Sequence, residues 1–161
     1  EKIQKELEKE IENKNLAEQM LWSPMLSLYN EILNKTGVEG YVVAPILLEK
    51  FKELKREGID IEAISTDAVL AIFEEFKAKA ITKAAIEELL RHAPKTRKEV
   101  YELISKLNLN RITGQRLIAL VNEYKSSGKY EKQEDIIKQI MSKYRLQIDG
   151  NELNALIKAS K

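Results

Sequence analysis

The sequence predicts an all-α fold built from two consecutive small helical modules. Apolar residues recur at three- and four-residue spacing along most of the chain, which places them on one face of a helix. We find neither the alternating apolar and polar pattern of a β-strand nor an exact internal repeat among the 161 residues. We expect a helical connector over residues 1–15, a helical domain over 16–93 and a basic C-terminal tail domain over 94–161.

The segment from Ser65 to Pro94 predicts two helices at the centre of the fold. Thr66 is expected to cap the first helix. The buried stripe of that helix consists of Val69, Ile72, Phe73 and Phe76. Thr82 starts the second helix, because its hydroxyl can accept a hydrogen bond from a free amide of the first turn. Neither helix can bury its stripe alone, so helices before and after the pair must cover it.

Before this pair, turn residues divide the chain into shorter helices. The connector carries only a thin apolar stripe on an otherwise charged helix. Ser23 and Pro24 begin a later helix, with a capping hydroxyl followed by proline at the first helical position. Gly37 ends that helix, and a longer one follows over residues 41–56. Pro45 is expected either to lie in the first turn of the longer helix or to kink it, because proline has no amide hydrogen to donate.

After the pair, four further amphipathic helices are predicted. Thr96 and Glu99 fit a capping box at the start of the first. Thr113 begins the second, residues 130–144 form the third, and either Asp149 or Asn151 caps the last. Each of these segments has an apolar face, so each is expected to contribute to a core.

The charge of the chain is divided unevenly, although the net charge is only +1. Residues 1–92 carry 13 Lys and Arg against 18 Asp and Glu, a net charge of −5, whereas residues 93–161 carry 14 against 8, a net charge of +6. Such an asymmetry indicates a polyanionic partner for the C-terminal part. The alternative is that these charges belong to ordinary solvated helix faces.

The composition excludes several kinds of protein. Because the chain has no cysteine, disulfides, thiolate metal sites and a cysteine nucleophile are excluded. The longest apolar runs, such as residues 41–48, are too short to span a bilayer, and the N-terminus lacks the apolar centre of a signal peptide. We therefore expect no membrane partner. The first residue, Glu1, lies in a charged helical segment, which predicts a piece of a longer polypeptide.

No group of residues predicts a catalytic or metal site. The adjacent carboxylates Glu74–Glu75 and Glu87–Glu88 point about 100° apart on a helix, so neither pair can converge on one substrate. His92 is the only histidine; it lies near a helix C-terminus and has no neighbours in sequence that would complete a set of metal ligands. We expect no catalytic residue, no metal and no cofactor in this chain.

The candidate nucleic-acid contacts are five cations of the C-terminal part: Lys125, Lys129, Lys138, Lys143 and Arg145. They are interleaved with Tyr124, Tyr130 and Tyr144, whose hydroxyls can donate to phosphate and whose rings can pack under lysine stems. The spacing supports equally well an alternative in which the tyrosines are half-buried core residues and the lysines only solubilise the surface.

Five stretches carry a resemblance to a known family. In chain order they are LAEQM, LYNEIL, LLEKFKELKREGIDIEAIS, ITKAAIEELL and IMSKYRLQIDGNELNALI. From about residue 16 to its end, the chain resembles the C-terminal helical and tail region of tRNA-dependent amidotransferase subunits of the GatB/GatE type, whose tail is related to YqeY. The nearest type is the GatE subunit of the archaeal glutamyl-tRNA(Gln) amidotransferase.

The resemblance implies a cytoplasmic archaeal enzyme that converts glutamate on tRNA(Gln) to glutamine. The ATP-dependent activation, with its Mg²⁺, would belong to a catalytic N-terminal part of the same polypeptide, and a separate glutaminase subunit would supply ammonia. This chain would be a non-catalytic tRNA-binding appendage. Residues 16–93 would form its connecting helical domain, and residues 94–161 the tail that reaches the outer elbow of tRNA(Gln).

The sequence departs from the family pattern at four positions. Ala78, Lys138 and Leu146 stand where relatives often carry glycine, and Pro45 interrupts a long helix. The loss of small residues in the tail puts in doubt any contact that needs RNA close to the backbone, whereas Lys138 adds positive charge.

Two other functions are weighed against tRNA binding. A structural helical module that docks protein partners, without direct RNA contact, would be favoured by an exposed apolar strip on a helix. An independent small enzyme would need a catalytic constellation, which the sequence lacks. Trp22 can bind a partner, but its place before Ser23 and Pro24 favours an anchor in the core or at a hinge.

Overall fold

The computed structural model describes residues 2–159, and within that range the all-α prediction is confirmed, with eleven α-helices and no strand. Glu1, Ser160 and Lys161, at the ends of the predicted connector and tail, lie outside the described residues. The helices are α1 (Lys2–Ile11), α2 (Lys14–Leu21), α3 (Leu26–Thr36), α4 (Gly40–Pro45), α5 (Phe51–Arg56), α6 (Thr66–Lys77), α7 (Lys83–Arg91), α8 (Arg97–Lys106), α9 (Gly114–Ser126), α10 (Gln133–Tyr144) and α11 (Gly150–Ala159). No helix in the described range is long and apolar enough to cross a membrane.

The larger hydrophobic core is formed by α1 to α8 around the predicted central pair. Phe73 on α6 is completely buried, and Leu89 and Leu90 of α7 are buried beside it. The connector belongs to this core, because Leu7 and Ile11 of α1 are each only 3% exposed. The apolar stripe of α1 is thin, but its two buried residues, Leu7 and Ile11, are sufficient to pack α1 against α2 and α4.

A second, smaller core is formed by α9, α10 and α11. Its buried side chains are Ile112, Leu117, Val121, Ile136, Ile140, Ile148, Leu153 and Ile157. The predicted domain boundary at 93/94 stays a prediction, but the buried side chains divide later, between Leu109 and Ile112. The reason is that α8 packs on α6 and places Val100 and Ile104 in the larger core.

The later division changes the charge of the C-terminal unit. Residues 112–161 carry 9 Lys and Arg against 6 Asp and Glu, a net charge of +3 rather than the +6 of residues 93–161. Half of the predicted positive excess therefore lies on α8 and the segments flanking it, beside the larger core.

The predicted side-chain caps are observed at Thr82, Thr96 and Asp149, whereas α3 begins at Leu26 without a side-chain cap rather than at Ser23 and Pro24. Ser65, not Thr66, caps α6, because the Ser65 hydroxyl accepts a hydrogen bond from the Ala68 amide at 3.0 Å. The predicted cap at Thr82 is confirmed, with the Ala85 amide donating to its hydroxyl at 3.2 Å. Neighbouring hydroxyl residues are equally able to cap, so only the observed extended backbone at Ser65 decides between them.

Pro45 lies beyond the first turn of its helix and is followed by a π-helical turn, Ile46–Lys50. There the Phe51 amide donates to the Ile46 carbonyl, one residue further back than in an α-helix. Proline has no amide hydrogen to donate to the carbonyl four residues before it, so the series of helical backbone hydrogen bonds is interrupted at this point. The chain widens into the π-helical turn and then continues as α5.

Two hydrogen bonds join the two cores at the segment between α6 and α7, and a third lies beside them within the smaller unit. The Thr82 hydroxyl donates to the Leu146 carbonyl at 2.6 Å, and the Arg111 amide donates to the Ala80 carbonyl at 2.9 Å. Nearby, the Ile112 amide donates to the Gln147 carbonyl at 2.8 Å. These bonds fix the start of the smaller unit and the end of α10 against the larger core.

Candidate nucleic-acid interface

The ends of α9 and α10 enclose a cleft of about 230 Å³ on the smaller unit. We call it the tyrosine–lysine cleft. Its lining residues are Glu123, Tyr124, Ser127, Lys129, Tyr130, Lys143 and Tyr144. The turn after α9 is shaped by Ser127, whose hydroxyl donates to the Tyr124 carbonyl at 2.7 Å and accepts from the Lys129 amide at 3.4 Å. This turn places Lys129 and Tyr130 beside the end of α9.

The aromatic rings of the cleft are ordered by contacts with each other and with a lysine. Tyr124 and Tyr130 stack with ring centroids 6.1 Å apart and planes inclined by 20°. The Lys143 ammonium lies 5.4 Å from the centroid of the Tyr144 ring, within the range of a cation–π contact. All three tyrosines are half-buried against the smaller core and also line the cleft. Both functions that the sequence left open for them, packing and exposure to a partner, are therefore compatible with their positions.

Lys143 lies between this cleft and a second one. The second cleft, of about 330 Å³, is lined by residues of the α8–α9 connection and the end of α10, including Asn108, Ser142, Lys143 and Arg145. Within residues 2–159, Lys129, Lys143 and Arg145 take part in no ion pair. Their positive charges are available to an anionic ligand.

Among the described residues, Arg145 forms no ion pair with Asp149, although the two lie only four residues apart. Asp149 instead accepts hydrogen bonds from the Asn151 amide at 2.8 Å and the Glu152 amide at 3.1 Å, which caps α11. It also lies 4.0 Å from the Arg111 guanidinium.

The other two candidate cations are not part of either cleft. Lys138 is exposed on α10, five residues before Lys143 and therefore roughly 140° away around the helix axis. Lys125 lies near the C-terminal end of α9 and is partly buried. The structure therefore brings together three of the five predicted cations.

Arg111 is a tail residue that the sequence analysis did not single out. Its side chain is only 15% exposed, and its guanidinium donates to Glu152 at 3.2 Å. Its Nε is buried without a hydrogen-bond partner. Glu152 also accepts a hydrogen bond from Thr113. Because these partners lie about 40 residues apart in the chain, no local sequence signal could have revealed the cluster.

Arg97 does not contribute to the basic surface, because its charge is paired with carboxylates of α6. Its guanidinium donates to Glu74 at 2.7 Å and to Asp67 at 3.0 Å, and also to the Tyr101 hydroxyl at 3.2 Å. The hydrogen bonds to Glu74 and Asp67 raise the pKa of Arg97 above its ordinary value. This cation joins α8 to α6, so it is not available to a polyanion.

The sequence-based interpretation of Trp22 is wrong. Its side chain is 80% exposed, so it is anchored neither in the core nor at a packed hinge. The residues that follow it line an apolar groove of about 540 Å³, together with Leu47, Phe51 and Ile61. Trp22 is the C-cap of α2, and its amide donates to the Met20 carbonyl.

The acidic pairs and the histidine occupy ordinary helix surfaces. His92 lies 3.5 Å from Glu88 on the same helix, and the described residues contain no group of His, Asp and Glu side chains that could hold a metal ion. Glu74 and Glu87 are engaged with Arg97 and Arg91.

Comparison with known proteins shows the family to which the chain belongs. The GatB domain family matches residues 27–160, which is most of the chain. The chain belongs to this family. As a GatB domain it is similar to the E subunit of the glutamyl-tRNA(Gln) amidotransferase of Pyrobaculum aerophilum, with 33% identity over 85% of this chain and 22% of the relative. The corresponding subunit of Pyrobaculum islandicum is 30% identical over 88% of this chain and 22% of the relative.

More distant archaeal relatives carry the same name. The corresponding protein of Methanosarcina barkeri is 24% identical over 91% of this GatB domain and 25% of the relative. The resemblance to the archaeal GatE subunit seen in the sequence is therefore confirmed. The chain spans about a fifth of the length of the relatives from Pyrobaculum. No solved structure matches the chain significantly.

Proposed function

We propose that this chain is the non-catalytic tRNA-binding part of a glutamyl-tRNA(Gln) amidotransferase, which converts Glu-tRNA(Gln) to Gln-tRNA(Gln). The observation that carries the proposal is the grouping of Lys129, Lys143 and Arg145 around two adjoining clefts, with no ion pair to any described residue. Cations of this kind attract the phosphates of a nucleic acid whatever its base sequence, because each contact releases counterions from the nucleic acid. The archaeal relatives are named as subunits of a glutamyl-tRNA(Gln) amidotransferase, so we propose tRNA(Gln) as the RNA that this chain binds.

The remaining parts of the enzyme follow from the same resemblance. Catalysis, with ATP and Mg²⁺, is assigned to an N-terminal part of the same polypeptide, and ammonia comes from a glutaminase subunit. Both would be partners of this chain in a cytoplasmic complex. Recognition is expected to depend on the shape and backbone of the folded tRNA at its elbow, because phosphates and 2′-hydroxyls of folded RNA are more accessible than paired base edges.

A second candidate function is the docking of a protein partner without direct RNA contact. It is favoured by the apolar groove beside Trp22, which is lined by residues from the range 19–62 and shares no lining residue with the two clefts of the smaller unit. The two functions predict different salt dependences. Only for RNA binding should the slope of log affinity against log salt scale with the number of phosphate contacts.

The deciding experiment is a titration of the 161-residue chain with tRNA(Gln) at several salt concentrations. We expect Lys143→Ala to weaken binding to all tRNAs about equally and to lower the slope of log affinity against log salt by about 0.7 to 0.9. The matched control is Lys14→Ala, since Lys14 is equally exposed and unpaired but lies on α2. It should change neither quantity.

Arg145 provides a second arm of the titration. Arg145→Ala should weaken binding more than Lys143→Ala if the planar guanidinium makes paired contacts to phosphate, and Arg145→Lys should not restore the loss. If the chain binds no tRNA even at low salt, or if the Lys143 and Arg145 double variant keeps the wild-type affinity and slope, this surface is not the interface. Docking of a protein partner through the groove beside Trp22 then becomes the better explanation.

A further inference from the structure

The lining of the tyrosine–lysine cleft combines cationic and aromatic side chains. Two of its lining residues, Lys129 and Lys143, are cations, whereas three are aromatic. A phosphate held by the lysines would leave the aromatic part of the cleft unfilled.

The stacked pair of tyrosines offers a platform for a further planar ring. Tyr124 and Tyr130 are inclined by only 20°, so a third ring placed parallel to the pair would continue the same stack. Tyr144 is less suitable, because the Lys143 ammonium lies over its ring at 5.4 Å. Stacking on aromatic side chains is a common means of holding unpaired bases, and it tolerates any base because every base has a π-face.

We infer that the cleft binds one unpaired, unstacked nucleotide of the RNA, with its base against the Tyr124–Tyr130 pair and its phosphates on Lys129 and Lys143. The inference rests on the proposed RNA binding and adds a subsite to it. Glu123, the one carboxylate in the cleft lining, repels phosphate and can accept an N–H from the edge of the base. The charges of the cleft therefore orient the nucleotide, with the base toward Glu123 and the phosphates toward the lysines.

The test combines substitutions of Tyr130 with three RNA probes, using the whole chain. The probes are a tRNA(Gln) transcript, a fully paired RNA duplex, and a single-stranded oligouridylate that contains one 2-aminopurine. Tyr130→Leu should weaken binding of the tRNA and of the single strand by roughly 5- to 100-fold, the effect expected for one stacked base. Tyr130→Phe keeps the ring and should bind within about twofold of wild type. Binding of the duplex should not respond to either substitution.

The matched control is Tyr101→Leu, because Tyr101 is exposed on α8 and lies outside the cleft. It should bind all three probes as the wild type does. Since Tyr130 also packs on the smaller core, a melting curve accompanies each variant. If Tyr130→Leu does not fold, the fluorescence of 2-aminopurine with the unsubstituted chain decides, because a base stacked on tyrosine is quenched whereas one held only by its phosphates is not.

The outcomes separate the subsite from the proposed function. If Tyr130→Leu binds all probes as wild type while Lys143→Ala loses affinity, the stacked nucleotide is refuted and tRNA binding stands. Equal losses for the duplex and the single strand would also refute it, because the tyrosines would then act only through packing. If no probe binds at low salt, both the subsite and the proposed function are overturned.

Discussion

The Thr82 hydroxyl stabilises the chain in two ways, which makes Thr82→Val an informative substitution. The hydroxyl accepts from the Ala85 amide and so caps α7, and it donates to the Leu146 carbonyl at 2.6 Å, which holds the end of α10 against the larger core. Thr82 is 4% exposed. Valine has nearly the same shape, so the substitution removes both hydrogen bonds and little packing.

The expected loss of stability is the sum of two contributions. Loss of the cap costs about 1 kcal/mol. A partly buried carbonyl left without its donor costs about 1–3 kcal/mol more. We therefore expect Thr82→Val to lower the free energy of unfolding by roughly 2–4 kcal/mol, a substantial share of the stability of a domain of this size. For a chain of this length each kcal/mol shifts the Tm by about 2–4 °C.

Urea unfolding monitored by circular dichroism measures this loss, and two variants separate its parts. Ser65→Ala removes only a cap, since the Ser65 hydroxyl accepts from Ala68 and makes no other described hydrogen bond. It should cost about 1 kcal/mol. Thr82→Ser keeps the hydroxyl and loses one buried methyl group, so it should cost only about 1 kcal/mol. Amide hydrogen exchange at Arg111 and Ile112 should accelerate in Thr82→Val alone, because these amides belong to the same junction.

The reasoning fails if Thr82→Val costs no more than Ser65→Ala. The bond to Leu146 would then contribute nothing beyond the cap, and the two cores would be held together by packing and by the bond from the Arg111 amide to the Ala80 carbonyl. An equal loss in Thr82→Ser would show that the buried methyl group of Thr82, which valine keeps, contributes as much as its hydroxyl.

Two further substitutions test the packing of the larger core. Phe73→Ala should cost about 3–5 kcal/mol in urea unfolding, because Phe73 is fully buried and its neighbours cannot fill the cavity; an unchanged midpoint would show that the phase assigned to α6 is wrong. Gly40→Ala should cost about 1–3 kcal/mol, since its Cβ would lie 2.2 Å from the Tyr29 hydroxyl oxygen. Adding Tyr29→Phe removes that oxygen, so the double variant should be more stable than the sum of the single effects predicts; strict additivity would refute the clash.

The fold could be predicted because each helix of the chain carries its own periodic apolar stripe. Phe73 and Thr82 were placed correctly from local spacing and from the capping chemistry of a hydroxyl. The junction could not be predicted in the same way, because the bond from Thr82 to Leu146 joins residues 64 positions apart. Trp22 shows the converse limit: an aromatic residue favours burial on average, but the turn after α2 leaves this one exposed.

The candidate site was predictable in composition but not in arrangement. Interleaved tyrosines and lysines over residues 124–145 indicated a binding surface, and the structure brings Lys129 and Lys143 into one cleft with the three tyrosines. Lys138 has the same charge and lies on the same helix as Lys143, yet it lines neither cleft. Which lysines converge depends on how α9 and α10 pack, and that packing is not encoded in the spacing of charges.

The distribution of ion pairs also limits how RNA binding can work. Arg97 and Arg111 belong to the positive excess of the C-terminal part, but the first is bound by Asp67 and Glu74 and the second by Glu152. Only three of the predicted cations line the adjoining clefts, so the counterion contribution comes from about three phosphates, which gives a modest salt slope of roughly 2 to 3. Electrostatic attraction of that size is weak and unselective. A stacked nucleotide on the Tyr124–Tyr130 pair would add affinity that salt does not remove, and it would favour folded RNAs with an unpaired base over plain duplex.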